Sequence, residues 1–140
     1  MQKMPYTLSK SVSPAIKQND SEVRVFHLLR FRVDLASGQF QGANMPLKLE
    51  LRFDGPASSP AVLTLNSFKE GQLGTEKTLK SSFQQGQPFD LQLVVTSEGY
   101  KVMENGTFLA DFDHRLPAKT VRFLEIDGDA TLKKVDLARG

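Results

Sequence analysis

From position 47 to 53 the chain reads Leu-Lys-Leu-Glu-Leu-Arg-Phe, seven residues of strict alternation between apolar and charged. That period of two predicts a half-buried strand, with four apolar side chains on one face and Lys48, Glu50 and Arg52 on the other. The same period recurs at Leu29, Phe31, Val33 and Leu35 against Arg30, Arg32 and Asp34. It returns at Phe89, Leu91, Leu93 and Val95 against Asp90, Gln92 and Val94. Ala61 to Ser67 predicts another strand, on which Thr64 and Asn66 share a face. Shorter strands are expected at Tyr100–Met103, Thr107–Phe112, Val121–Ile126 and Ala130–Leu137. Weaker alternation marks Glu22–Phe26 and Val12–Ile16, and Tyr6 and Leu8 suggest a short edge strand.

The punctuation agrees with this pattern. Asn105-Gly106 predicts a tight hairpin, because both central residues of a type I′ turn need positive φ. Ser97-Glu98-Gly99 and Asp127-Gly128-Asp129 read as further turns, the second joining two late strands. Ala36 to Pro46 reads as a loop with Gly42-Ala43-Asn44 at its apex, and Ser81 to Gln87 as a polar connector. Pro88 stands at a strand start, where a missing N–H is tolerated. No stretch predicts a helix of useful length. About a dozen short strands at regular spacing imply an all-β, two-sheet antiparallel sandwich.

Composition narrows the classes. At 140 residues the chain is expected to form one domain, 1–140, with 1–21 as an N-terminal edge segment. Ten phenylalanines without a tryptophan suggest aromatic packing between layers. A net charge of +2 gives no electrostatic case for nucleic acid or an anionic membrane. With no cysteine there is neither a disulfide framework nor a thiolate metal site. The first residues, Met1-Gln2-Lys3-Met4-Pro5, lack the apolar core of a secretory signal, and no apolar run approaches the roughly 20 residues of a spanning helix.

Few residues offer reaction chemistry. His27 and His114 stand apart without cysteine partners, so a metal site has little support and no cofactor is expected. His27 reads as a surface histidine. Asn19-Asp20-Ser21 and Asn105-Gly106-Thr107 fit the glycosylation pattern but read better as turn chemistry. Asp127 and Asp129 lack the repeated acids of a calcium loop and read as turn residues. Glu50 and Asp54 share a strand face about 7 Å apart in Cα, but no aromatic subsite accompanies them as a hydrolase pair, so catalysis is not expected. On strand physics alone, the row Lys48, Glu50, Arg52 is a solvated face with a cross-strand charge pattern.

The second half of the chain carries a family resemblance. Gly86-Gln87-Pro88-Phe89-Asp90, then Glu98-Gly99-Tyr100-Lys101-Val102, Asn105-Gly106, and Phe112-Asp113-His114-Arg115-Leu116-Pro117 resemble a galectin carbohydrate-recognition domain. The likeness continues through Leu124-Glu125-Ile126-Asp127-Gly128-Asp129-Ala130-Thr131-Leu132, and Arg30 to Leu35 resembles a family strand more loosely. The resemblance implies jelly-roll topology. Residues 46–80 would supply the concave sheet and the stretch 86–116 much of the convex one. It makes His114 structural, holding the turn after a strand.

The sugar-contacting motifs depart from the family. Its His-x-Asn-Pro-Arg pattern, placed with Arg52 at the His, Asp54 at the Asn and Pro56 at the Arg, retains none of the three. The family's Trp-Gly-x-Glu-x-Arg turn is matched by Leu73-Gly74-Thr75-Glu76-Lys77-Thr78, so Gly74 and Glu76 remain while the stacking Trp is Leu73 and the Arg is Thr78, with Lys77 adjacent. Leucine offers area but no π face, and lysine no bidentate fork. Asn66 matches the family's strand Asn.

The resemblance therefore implies a lectin binding a galactoside-related glycan of a glycoprotein or glycolipid on the face bearing Lys48, Arg52, Asp54, Thr64, Asn66 and Glu76. Lys48 and Arg52 would donate to hydroxyls or to an acidic group, Asp54 and Glu76 would accept, and Asn66 would do both. Weak or absent binding of plain lactose is expected. The alternative is a galectin fold that has lost sugar binding and acts through protein contacts, including a homodimer through edge strands. The family also implies a cytoplasmic or extracellular location reached without a signal peptide, and no membrane insertion.

Overall fold

A computed structural model describes residues 6–11, 29–53, 59–84, 88–128 and 131–137, with only the backbone described for 6–11, 29, 88 and 131–137. The readings at Val12–Ile16, Glu22–Phe26, His27, Asn19, Asp54 and Pro56 lie outside the described residues. The strands are β1 (Tyr6–Ser11), β2 (Leu29–Ala36), β3 (Met45–Phe53), β4 (Pro60–Lys69), β5 (Gln72–Leu73), β6 (Lys77–Gln84), β7 (Pro88–Val95), β8 (Gly99–Glu104), β9 (Thr107–Asp113), β10 (Phe123–Gly128) and β11 (Thr131–Leu137). A 3-10 turn covers Ala118–Thr120. Among the described residues no helix is long and apolar enough to cross a membrane.

The strands form two antiparallel sheets. One runs β11-β1-β7-β8-β9, the other β10-β2-β3-β4-β5, with β6 also paired to β4. The expected all-β sandwich is thus the observed fold, and residues 86–116 supply three neighbouring strands of one sheet. The inner faces are the apolar halves of the alternating strands. Phe31, Val33 and Leu35 of β2, Leu47, Leu49, Leu51 and Phe53 of β3, and Ala61, Leu63 and Leu65 of β4 are all buried. They meet Phe89, Leu91 and Leu93 of β7 and Tyr100 and Val102 of β8. The layers are joined by aromatic packing: the Phe89 ring lies 4.4 Å from Phe83, 6.0 Å from Phe31 and 6.5 Å from Phe53, centroid to centroid.

The hairpin chemistry is legible. Asn105 and Gly106 hold φ of 49° and 82°, both left-handed, and Glu104 pairs with Thr107 across them. Thr96 N–H donates to Gly99 O at 2.8 Å, closing the β7–β8 turn. His114 is structural as expected: its Nε2 donates to Thr96 O at 2.8 Å and its backbone N–H to Glu98 O at 3.0 Å, and its ring meets Tyr100 edge-on.

Three expectations are corrected. Tyr6 and Leu8 fall in β1, which is no edge but lies between β11 and β7. Ser81 to Gln84 is not a connector but the end of β6, with Ser81 and Phe83 buried. Its alternation is disguised because one inward residue is polar: the Ser81 hydroxyl donates to the buried Glu104 carboxylate, which also accepts Ser82 N–H at 3.0 Å. Asp127-Gly128 does not close a hairpin, since β10 pairs with β2 while β11 pairs with β1 in the other sheet. Gly128 instead lies against β2, where a Cβ would overlap the Arg30 carbonyl.

Candidate functional site

The candidate site is the outward face of β2, β3 and β4 together with the segment between β5 and β6. Its phase is set by one irregularity. Met45 pairs with Phe68 and Lys48 with Asn66, so β3 carries one extra residue across that interval. The bulge holds Pro46, whose missing N–H is harmless there. Beyond it Leu47 faces the core and Lys48 the groove, and the outward row continues with Glu50 and Arg52.

Pairing then fixes which groups meet. Lys48 stands between Asp34 and Asn66, and Glu50 between Arg32 and Thr64. Arg52 is one pair further on, between Arg30 and Val62. The result is a shallow groove of about 160 Å³ lined by residues that include Asp34, Lys48, Glu50, Asn66, Leu73 and Glu76. Thr64 and Arg32 also line it, whereas Arg52 does not. Of the six residues expected from sequence, the groove collects Lys48, Thr64, Asn66 and Glu76. Asp34, Glu50 and Arg32 are added by cross-strand pairing. The alternation of charge along β2 and β3 was the signal that could have found them.

The charges are largely matched within the face. Lys48 Nζ lies 3.9 Å from Asp34 Oδ1 and 3.5 Å from Met45 Sδ. Arg52 Nε is buried, makes no hydrogen bond, and lies 3.6 Å from Glu50 Oε1. Arg32 donates to Asp127 Oδ2 at 2.7 Å, which raises the guanidinium above its ordinary value. Burial pushes the Asp34 carboxyl above the usual carboxylate range, against the opposing pull of Lys48 and Arg32.

Asn66 is the most constrained polar group of the groove. Its Oδ1 accepts Ser67 N–H at 2.7 Å and Arg115 Nη1–H at 3.1 Å, and its Nδ2 donates to Gly74 O at 3.1 Å. With both lone pairs of Oδ1 occupied, one Nδ2 hydrogen is what the side chain has left to offer. Arg115 was missed in the sequence. Besides Asn66, its guanidinium donates to Ser67 Oγ at 3.2 Å and Thr75 O at 2.7 Å, and it lies 4.3 Å above the Phe112 ring. A Cβ at Gly74 would stand 2.6 Å from Arg115 Nη1 and 2.9 Å from Ser67 Oγ, so the arginine keeps this position only beside a glycine.

The opposite wall is less built. Leu73, where a stacking aromatic was expected to be lost, is 62% exposed. Lys77 does not serve Glu76. Its Nζ reaches the other sheet, donating to Asp111 O at 2.6 Å with Asp111 Oδ1 at 3.3 Å. Glu76 is exposed at the groove's rim. β3 is described as far as Phe53, and positions 54 and 56 lie outside the described residues.

Comparison with known proteins identifies the lineage. The family model of galactoside-binding lectins matches residues 18–137. Galectin-4 of Rattus norvegicus is 38% identical over 115 residues, covering 81% of this chain and 34% of that protein. The chain therefore spans about a third of that relative's length. Galectin-7 of Mus musculus is 34% identical over 109 residues, covering 77% of this chain and 76% of that protein. Among solved structures, sheep galectin-11 in complex with glycerol superposes with a TM-score of 0.79 at 26% identity, over 97% of this chain and 90% of that one. Sequence, family model and fold agree, and the chain belongs to the galactoside-binding lectins, the galectins.

Proposed function

We propose that the outward face of β2, β3 and β4 binds a galactoside-related glycan carried on a glycoprotein or glycolipid. The observation that carries this reading is the locking of Asn66. Three hydrogen bonds fix its amide at the groove and leave one N–H free. A sugar hydroxyl is a weak ligand in water, so a donor already held in place loses little freedom on binding.

The family's His-x-Asn-Pro-Arg pattern runs along one strand face at alternate residues. Because Lys48 is the β3 residue that pairs with Asn66, the pattern fits Lys48, Glu50 and Arg52 better than 52, 54 and 56. On this placement Lys48 stands for the His, Glu50 for the Asn, and Arg52 keeps the Arg. Asp54, the acceptor expected from sequence, then lies past the row. Lys48 and the Asn66 amide donate to hydroxyls, Glu50 and Glu76 accept, Arg52 holds Glu50, and Thr64 lines the floor. A neutral His that could donate or accept has become a pure donor, and an Asn a pure acceptor. With Leu73 at the stacking position, plain lactose is expected to bind weakly or not at all.

Catalysis has no support. A relative is a galactoside-binding lectin by name, and Glu50 Oε1 lies 3.6 Å from Arg52 Nε. A second reading, protein contact in place of sugar, is favoured by the exposed Leu73, and a homodimer through sheet edges would belong to it. A broad glycan array decides between them. Selective retention of galactose-bearing glycans supports the lectin, and no binding at millimolar ligand sinks it.

A further inference from the structure

We infer that His114 is a positioning residue for glycan binding: it fixes the segment from which Arg115 orients Asn66, and it does so only while its ring is neutral. This rests on the glycan reading of the groove.

Arg115 is the link. Its guanidinium holds Asn66 Oδ1 at 3.1 Å, Ser67 Oγ at 3.2 Å and Thr75 O at 2.7 Å. Yet it stands past the end of β9 at Asp113, where pairing with β8 stops. Its place therefore depends on its chain neighbours. Leu116 is buried on one side. On the other, His114 ties the segment to the β7–β8 turn, through its backbone N–H to Glu98 O at 3.0 Å and its ring to Thr96 O at 2.8 Å. The ring also meets Tyr100 edge-on, with centroids 4.8 Å apart.

These contacts set the tautomer. Thr96 O can only accept, so Nε2 carries the proton. Nδ1 is then a bare lone pair, buried and with no hydrogen-bond partner. A second proton would place an N–H there with nothing to receive it, and a buried donor left unpaired is costly. The ionisable groups around the ring do not remove that cost. Glu98 in the turn accepts Thr96 Oγ1–H at 3.4 Å. Neither its carboxylate, nor the Tyr100 phenol, nor the chain neighbours Asp113 and Arg115 bonds Nδ1. The charged ring must turn toward water. That gives up Thr96 O and the Tyr100 contact and frees the segment that aims Arg115. Imidazole ordinarily changes charge between about pH 5 and 8, so binding should weaken in mild acid.

The test is calorimetric titration of the best array ligand at about pH 7.5 and about pH 5, with unfolding curves at both. Affinity of the parent should fall about tenfold. His114→Ala should bind weakly at both pH values. His114→Gln, whose amide can still donate to Thr96 O but does not titrate, should recover most of the neutral-pH affinity and show no fall. Arg115→Lys should flatten the profile as well, because the fall runs through Arg115. Asp34→Asn, which removes the buried acid of the groove, should keep the fall. Parent affinity that does not change with pH overturns the inference and leaves the glycan reading in place. So does a fall that persists in His114→Gln, one that vanishes in Asp34→Asn, or one that tracks unfolding of the parent. If no glycan binds at millimolar concentration at neutral pH, the glycan reading falls and this inference with it.

Discussion

Arg115 Nη1 donates to Asn66 Oδ1 at 3.1 Å, joining residues 49 positions apart in the chain. Through this bond the segment after β9 orients a side chain on β4. Arg115→Lys removes the planar fork that serves Asn66, Ser67 and Thr75 together. Glycan affinity should fall roughly tenfold, about 1.4 kcal/mol, while the urea midpoint moves little, because the arginine is exposed. Calorimetry and denaturation on the same variant check both halves.

Gly74→Ala tests the same joint from the other side. The new Cβ would stand 3.2 Å from Asn66 Oδ1 and closer still to Arg115 Nη1 and Ser67 Oγ. The arginine must move away, so binding should weaken as in Arg115→Lys. The double variant should lose little more than either single one, since the two substitutions break one arrangement.

Asp34 gives a pH dependence. Burial raises its folded-state carboxyl above the ordinary range, so folding favours the protonated form. The stability this contributes is present below the unfolded value and is lost as pH rises through the raised folded one. Asp34→Asn should therefore show a higher urea midpoint than the parent at neutral pH, and the two should converge as pH falls below the carboxylate range. A variant less stable than the parent at neutral pH would show that attraction to Lys48 outweighs desolvation.

Much of the fold is written in alternation and turns. The strands around Leu47–Phe53 and Phe89–Val95 need only the period of two, and Asn105-Gly106 names its own turn. What escaped depends on partners distant in the chain. Ser81 looks like connector chemistry until Glu104 is beside it. Asp127-Gly128 looks like a hairpin until β10 and β11 are found in different sheets. In the candidate groove, the places of Asn66, Thr64, Lys48 and Glu76 in the lining were readable from their strand face and the family turn. Which residue of the β3 row opposes Asn66 was not, because a one-residue bulge at Pro46 fixes that register. Arg115 lay in a segment whose neighbour, His114, took the structural reading.

The buried Glu104 ties β6 to β8. Glu104→Ala leaves the Ser81 hydroxyl and Ser82 N–H without their acceptor, and should cost roughly 1–3 kcal/mol for the buried Ser81 hydroxyl, with less for the exposed Ser82, whose N–H can turn to water. Glu104→Gln keeps one accepting oxygen and should lose less. Urea unfolding of the pair gives the comparison.

The central claim is that this face binds a glycan through Asn66 and Glu76. The most direct measurement is titration of the best array ligand into the parent, Asn66→Ala and Glu76→Ala, with unfolding curves to confirm that all three are folded. The account predicts that both substitutions weaken binding, Asn66→Ala by about tenfold or more for the loss of a fixed donor. Binding that survives both substitutions unchanged would contradict it and place the sugar on another surface.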